Sequence, residues 1–137
     1  MKQDDLFKKG LKIRREVLGQ EYVDKTLKNA DRYSRPMIEL ATRVVWGTIW
    51  SRPGLSRRSR SFINLGMLIA MGQQLELRLH IRAALRNGLS RKEISETILH
   101  CAAYCIPKAA DARRAMCEVF AELDREKSTP TRRGYKR

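Results

Sequence analysis

Apolar residues recur along this chain at three- and four-residue steps, and Pro, Gly and Asn interrupt them at helix-length intervals. Segment 4–18 carries Leu6, Leu11, Ile13, Val17 and Leu18, with Gly19 as its stop. Tyr22, Val23, Leu27 and Ala30 predict a second short helix that closes before Pro36. From Met37, a broad apolar stripe of Ile38, Leu40, Ala41, Val44, Val45 and Ile49 runs to the loop Trp50-Ser51-Arg52-Pro53-Gly54. The nearly continuous apolar run from Phe62 to Met71 predicts a buried central helix. Leu75 to Leu85 gives the next helix, stopped by Asn87-Gly88. Ser90-Arg91-Lys92-Glu93 spells a capping box, in which the Ser hydroxyl takes an orphan amide and the Glu reaches back to the Ser90 amide. Ile94, Ile98, Cys101, Ala102 and Cys105 continue from it at helical spacing. Pro107 marks a kink or a new start, and Ala109 to Leu123 carries the last helix. No segment alternates with period two and no repeat appears, so the expected fold is all-α.

Composition narrows the class further. A length of 137 residues is one domain's worth, and 42% hydrophobic with 32% charged residues excludes wholesale disorder. Only 8 Gly and 4 Pro argue against a turn-rich β sandwich or barrel. No apolar run approaches the ~20 residues of a membrane span, and Met1 to Asp5 leads into no apolar stretch, so neither membrane insertion nor secretion is expected. Cys101, Cys105 and Cys117 are odd in number and form no C-x-x-C pair. With His80 and His100 the sole histidines, no metal site is expected, and the reduced cytoplasm is the natural compartment. The charge sum, 29 Lys+Arg against 15 Asp+Glu, is +14. Part of that excess lies in residues 125–137, where six basic residues face the single acid Glu126. That stretch reads as a disordered basic tail beyond a helical domain of residues 1–124.

Three constellations could carry chemistry. Glu76 and His80 stand four apart on one helix face, so a carboxylate there could hold the imidazole's tautomer and raise its basicity. Glu96 and His100 repeat that spacing one helix later, and an exposed helix salt link explains either pair equally. The second is the stretch from Trp46 to Arg60, where Trp46 and Trp50 sit beside Arg52, Arg57, Arg58 and Arg60. Guanidinium groups clamp carboxylates and indoles supply a flat apolar wall, a combination suited to a small unsaturated acid. The same tryptophans would equally serve as core, with the arginines solvating a loop. The third is a helix-turn-helix nucleic-acid reader built around Ser90. Its recognition helix, however, offers Glu93 and Glu96 after Arg91 and Lys92, with no residue placed to read base edges.

Several strings in the chain resemble the γ-carboxymuconolactone decarboxylase family. They are Ile13-Arg14-Arg15-Glu16-Val17-Leu18-Gly19 with Tyr22-Val23-Asp24, and Trp46-Gly47-x-x-Trp50-x-Arg52-Pro53-Gly54-Leu55 with Arg60-Ser61. Glu76-Leu77-x-Leu79-His80-x-Arg82-Ala83-Ala84 follows, then Asn87-Gly88, Glu93-Ile94-x-Glu96, and finally Tyr104, Pro107, Ala109 and Arg114. The likeness spans about residues 7–123. It implies the alkylhydroperoxidase D-like helical fold and assembly as trimers or hexamers. It also implies decarboxylation of 4-carboxymuconolactone in protocatechuate breakdown, without metal or organic cofactor. The peroxidase branch of that superfamily carries C-x-x-C before its histidine. Here Gln73-Gln74-Leu75-Glu76 holds no sulfur, so thiol redox chemistry is not expected there.

The resemblance selects His80 over His100 as the acid, with Glu76 to orient it. Arg52 and Arg60 are expected to bind carboxylates, and Trp46, Trp50 and Tyr104 to wall the ring. The family's usual Gly between the positions of Cys105 and Ile106 is missing, and Lys108 and Arg113 replace commonly small or aromatic residues. These departures leave another unsaturated lactone or keto acid open as substrate. The expected partners are a dicarboxylate lactone and further copies of this chain, because its helices carry apolar faces too wide for a monomer.

Overall fold

The computed structural model describes residues 2–129. Seven α-helices and one π-helical segment make up its regular structure: α1 (Gln3–Leu18), α2 (Gln20–Lys28), α3 (Ser34–Ala41), the π segment (Thr42–Ile49), α4 (Arg57–Met71), α5 (Gln74–Arg86), α6 (Arg91–Ala102) and α7 (Ile106–Ser128). The all-α expectation holds. Pro107 starts a helix rather than kinking one, since it occupies the first turn of α7, where no intrahelical amide is needed. The Ser90–Glu93 capping box forms in both directions.

α4 and α5 make an antiparallel hairpin. Gly72 ends α4 at φ 68°, a left-handed conformation that L side chains adopt only with strain. There the Gln73 amide donates to the Leu68 carbonyl and the Gly72 amide to that of Ile69, which closes the helix end. Two side-chain contacts then fix the register. Asn87 Nδ2 donates to the buried Ser61 Oγ at 2.9 Å, and Asn64 meets His80 midway along the hairpin.

Two apolar clusters lie on either side of α5. Leu77, Ile81 and Ala84 pack with Leu65 and Ile69 of α4, Ile94 and Ile98 of α6, and Ala112 and Val119 of α7. Ala83 turns the other way, toward Ile13, Val17, Val23, Trp46 and Trp50. α5, not α4, is therefore the central helix. α4 buries Ser61, Leu65 and Ile69 but leaves Ile63, Met67 and Met71 exposed.

The stripe expected as one helix from Met37 to Ile49 is divided, and it faces outward. Met37, Leu40, Val44, Val45 and Ile49 are exposed, while Thr42, Trp46 and Gly47 turn inward. Close approach to α1 accounts for this. A Cβ on Gly10 would lie 2.0 Å from the Thr42 carbonyl oxygen, and one on Gly47 would lie 2.4 Å from that of Leu6. The two backbones touch directly, with no side chain between them. The widened segment carries the bond from the Trp50 amide to the Val45 carbonyl, one residue longer than an α-helical bond.

The basic tail begins later than expected. Residues 125–128 are helical because Glu122 and Glu126 both pair with Arg82, while Asp124 pairs with Arg91. The rest of the predicted tail, residues 130–137, lies outside the described residues.

Candidate active site

His80 sits near the middle of α5 at 8% exposure. Burial pushes its pKa down from 6.5 to about 4, so the ring is neutral at pH 7. Its side-chain partner is Asn64, whose amide nitrogen lies 3.4 Å from Nδ1. Asn64 interrupts the apolar run from Phe62 to Met71 as its one polar side chain, which is the signal of it that the sequence carries. Arg60 stands one turn earlier on the same face of α4. Its Nη2 donates to the Arg52 carbonyl at 3.1 Å, and its Nε is buried without a partner. Arg60 and Asn64 thus stand one turn apart on α4, Arg60 bonded to the Arg52 backbone and Asn64 in contact with His80, while the Arg52 side chain is exposed.

Glu76 does not hold His80. It is exposed and makes no hydrogen bond to the imidazole. Its charge acts instead toward α1, on Arg14. That buried guanidinium donates from Nη1 to Thr42 Oγ1 at 3.0 Å and leaves Nε unpaired. Burial lowers the Arg14 pKa, and Tyr22 and Glu76 oppose the shift.

The two tryptophans are core. Trp46 and Trp50 are 5% and 7% exposed, with ring centroids 5.0 Å apart, and they fill the cluster shared by α1, α2 and α5. They back the site through Ala83 rather than wall a substrate ring. Tyr104 is also displaced. It is 85% exposed and stands beside His100, with ring centroids 5.9 Å apart. It lines a cavity of about 220 Å³ with Gly66, Ile69 and Ala70 of α4. Gly66 lies two residues beyond Asn64, on roughly the opposite side of that helix. Within one chain Tyr104 therefore does not join His80. His100 is exposed, on a groove of about 580 Å³ between α4 and α6.

The nucleic-acid reading loses its recognition surface. Arg91 pairs with Asp124 of α7, and Glu93 accepts from Arg58 of α4, so the first turn of α6 is tied to its own fold. Among the described residues no helix is long and apolar enough to cross a membrane. Nor, among them, is any group of three His, Cys, Asp or Glu side chains placed to share a metal ion.

The domain is all-helical, with a buried neutral histidine in its central hairpin and Arg60 one turn from the asparagine that meets it. Residues 36–118 match the Carboxymuconolactone decarboxylase family. The chain is 40% identical over 124 residues to the 4-carboxymuconolactone decarboxylase of Acinetobacter baylyi, covering 90% of this chain and 92% of that relative. It is 50% identical over 100 residues to the nitrosuccinic acid decarboxylase of Metarhizium robertsii, covering 73% of this chain and 70% of the relative. The chain belongs to the carboxymuconolactone decarboxylase family, and its fold is the helical one expected for it.

Proposed function

We propose that this protein is a carbon–carbon lyase that decarboxylates 4-carboxymuconolactone to the enol-lactone of 3-oxoadipate and CO2. The observation that carries the reading is the buried neutral His80, in a chain similar over nine tenths of its length to a decarboxylase of that name. The substrate is a butenolide with two carboxylates. Cleavage of the bond from the ring γ-carbon to its carboxylate releases CO2 and leaves an electron pair that delocalises through the alkene into the lactone carbonyl. The substrate is its own electron sink, so the chemistry asks of the protein anion binding and stabilisation of the oxygen where charge gathers. Arg52 and Arg60 bind the carboxylates through their guanidinium groups. His80, uncharged, donates a hydrogen bond to the lactone oxygen as it becomes an oxyanion, and a proton from solvent then completes the α-carbon.

This alters the expected role of His80 from proton donor to oxyanion donor, because an imidazole with a pKa of about 4 holds no spare proton at neutral pH. Reduced cytoplasm suits the three free cysteines. Assembly into trimers or hexamers would cover the apolar side chains that α3, the π segment and α4 leave exposed. A solution mass near the 15.9 kDa of one chain would rule that assembly out.

A second reading draws on the relative that is 50% identical. Nitrosuccinic acid is also a dicarboxylic acid with an electron-accepting group beside the carboxylate that leaves, so the same anion-binding and oxyanion-stabilising site would serve it. Purified protein offered each acid separately, with CO2 release followed, decides between them. Release from neither ends the decarboxylase reading. Replacing His80 with Ala is expected to lower kcat by about two to three powers of ten with little change in KM, the usual result of losing an oxyanion donor.

A further inference from the structure

We propose that Asn64 is the positioning residue of this site, holding the His80 ring as the neutral tautomer with its hydrogen on Nε2, so that Nε2–H is the donor offered to the substrate. The inference rests on the proposed decarboxylase chemistry for its consequence, but not for its geometry.

Asn64 and His80 face each other across the α4–α5 hairpin, whose register is fixed one step further along by Asn87 and Ser61. The Asn64 atom nearest the ring is Nδ2, at 3.4 Å from Nδ1. With Nδ2 turned toward the ring, the amide is the donor and Nδ1 supplies the lone pair. The ring hydrogen is then on Nε2. An imidazolium would set an N–H against an NH2 at Nδ1, and that donor–donor clash adds to the burial that already disfavours the charged ring. Charged groups on the elements around His80 include Glu76, Arg78, Arg82 and Arg86 on its own helix, Arg57, Arg58 and Arg60 on α4, and Arg14, Arg15 and Glu16 on α1. None of them offsets the effect of burial on its titration.

The arrangement explains why Glu76 is not needed on Nδ1. A carboxylate there would accept a hydrogen from Nδ1, leave Nε2 bare in the neutral ring and favour the imidazolium. An amide nitrogen does the opposite in both respects. It suits a reaction in which charge appears on an oxygen and the protein must donate without itself being charged.

Nitrogen-15 NMR of the histidine-labelled wild-type protein at pH 7 reads the tautomer directly, with His100→Gln used to assign the two rings. The expected spectrum has His80 Nδ1 at a bare-nitrogen shift and Nε2 at a protonated one. A spectrum with Nδ1 protonated, or both nitrogens protonated, overturns the proposal. Asn64→Asp should raise the His80 pKa and bring an inflection into the pH profile of kcat/KM that the wild type lacks between pH 5 and 8. Asn64→Leu, close in volume, should lower kcat about tenfold or more while leaving KM within about threefold. A loss confined to KM would overturn the positioning role. If the wild-type tautomer is as stated but no acid is decarboxylated, the functional reading falls and the tautomer stands. If CO2 is released and the tautomer is reversed, the decarboxylase stands and the assignment to Asn64 falls.

Discussion

Replacing His80 with Gln should change how this fold responds to acid, by an amount the structure sets. In the folded chain burial holds the His80 pKa at about 4, against 6.5 for an unburied ring. Between those values the unfolded chain binds a proton that the folded chain does not, so stability falls as pH falls. The contribution is present above about pH 6.5, is lost progressively below it, and the loss is complete once pH has fallen through about 4. From pH 7.5 to pH 4.5 the two pKa values give a loss of about 2–3 kcal/mol.

Several carboxylates add acid sensitivity of the same sign. Hydrogen bonds from Arg58 and Ser90 hold Glu93 at about 2, and Asp31, Glu122, Asp124 and Glu126 are also lowered by their bonded partners. Their losses come as pH drops below the ordinary carboxylate range, and they are common to wild type and variant. Urea unfolding of both proteins at pH 7.5 and 4.5, at one protomer concentration, isolates the histidine. The wild type should lose about 2–3 kcal/mol more than His80→Gln across that interval. Equal losses would refute the claim that the imidazole is buried and neutral, and with it the oxyanion-donor role.

Gly47→Ala should abolish folding or cost more than about 3 kcal/mol, because its Cβ would sit 2.4 Å from the Leu6 carbonyl oxygen with only backbone there to give way; thermal melting checks this. Gly66→Ala is the contrasting case. No atom lies within 4 Å of the added methyl, so a helical alanine should raise stability by about 0.5–1 kcal/mol in the same assay. Arg60→Ala should raise KM for a dicarboxylate substrate at least tenfold with a smaller effect on kcat. Arg60→Lys should recover little of it, since a point charge cannot offer the guanidinium fork; steady-state kinetics with CO2 detection distinguish the two.

Helix boundaries were the most legible feature of this chain, because they rest on local chemistry. The Ser90–Glu93 box, Asn87-Gly88 and Pro107 each act within a turn of where they stand, and each marks an element end in the structure. What the sequence could not convey was which way the apolar faces turn. Val44 and Ile49 are as apolar as Val17 and Val23, yet they face outward because Gly10 and Gly47 bring two backbones together and rotate the segment between them. Both tryptophans looked like a binding wall because they neighbour arginines in sequence, but they belong to the core cluster of α1 and α2. The family likeness singles out His80, Arg52 and Arg60; in the fold Arg60 bonds to the Arg52 carbonyl, and His80 meets Asn64 across the hairpin. The significance of Asn64 lies in a partner sixteen residues away, across a hairpin whose register only the folded chain defines.

The two clusters divided by α5 give the fold unequal halves in time as well as space. α4, α6 and α7 close on one side of that helix, whereas α1, α2 and the π segment close on the other around Trp46 and Trp50. Nothing requires them to open together, and cooperative units of this kind are released one at a time. The N-terminal half should detach as a unit while the C-terminal helices keep their amides protected. Native-state hydrogen exchange would then show α1 and the π segment sharing one opening free energy, below that of α5 and α7. His80 lies on the helix common to both halves, so the same opening would bring its imidazole into water and return its pKa toward 6.5. Exchange in the first half of the chain and exposure of the histidine should therefore follow a single equilibrium, and mildly acidic pH should favour the open form.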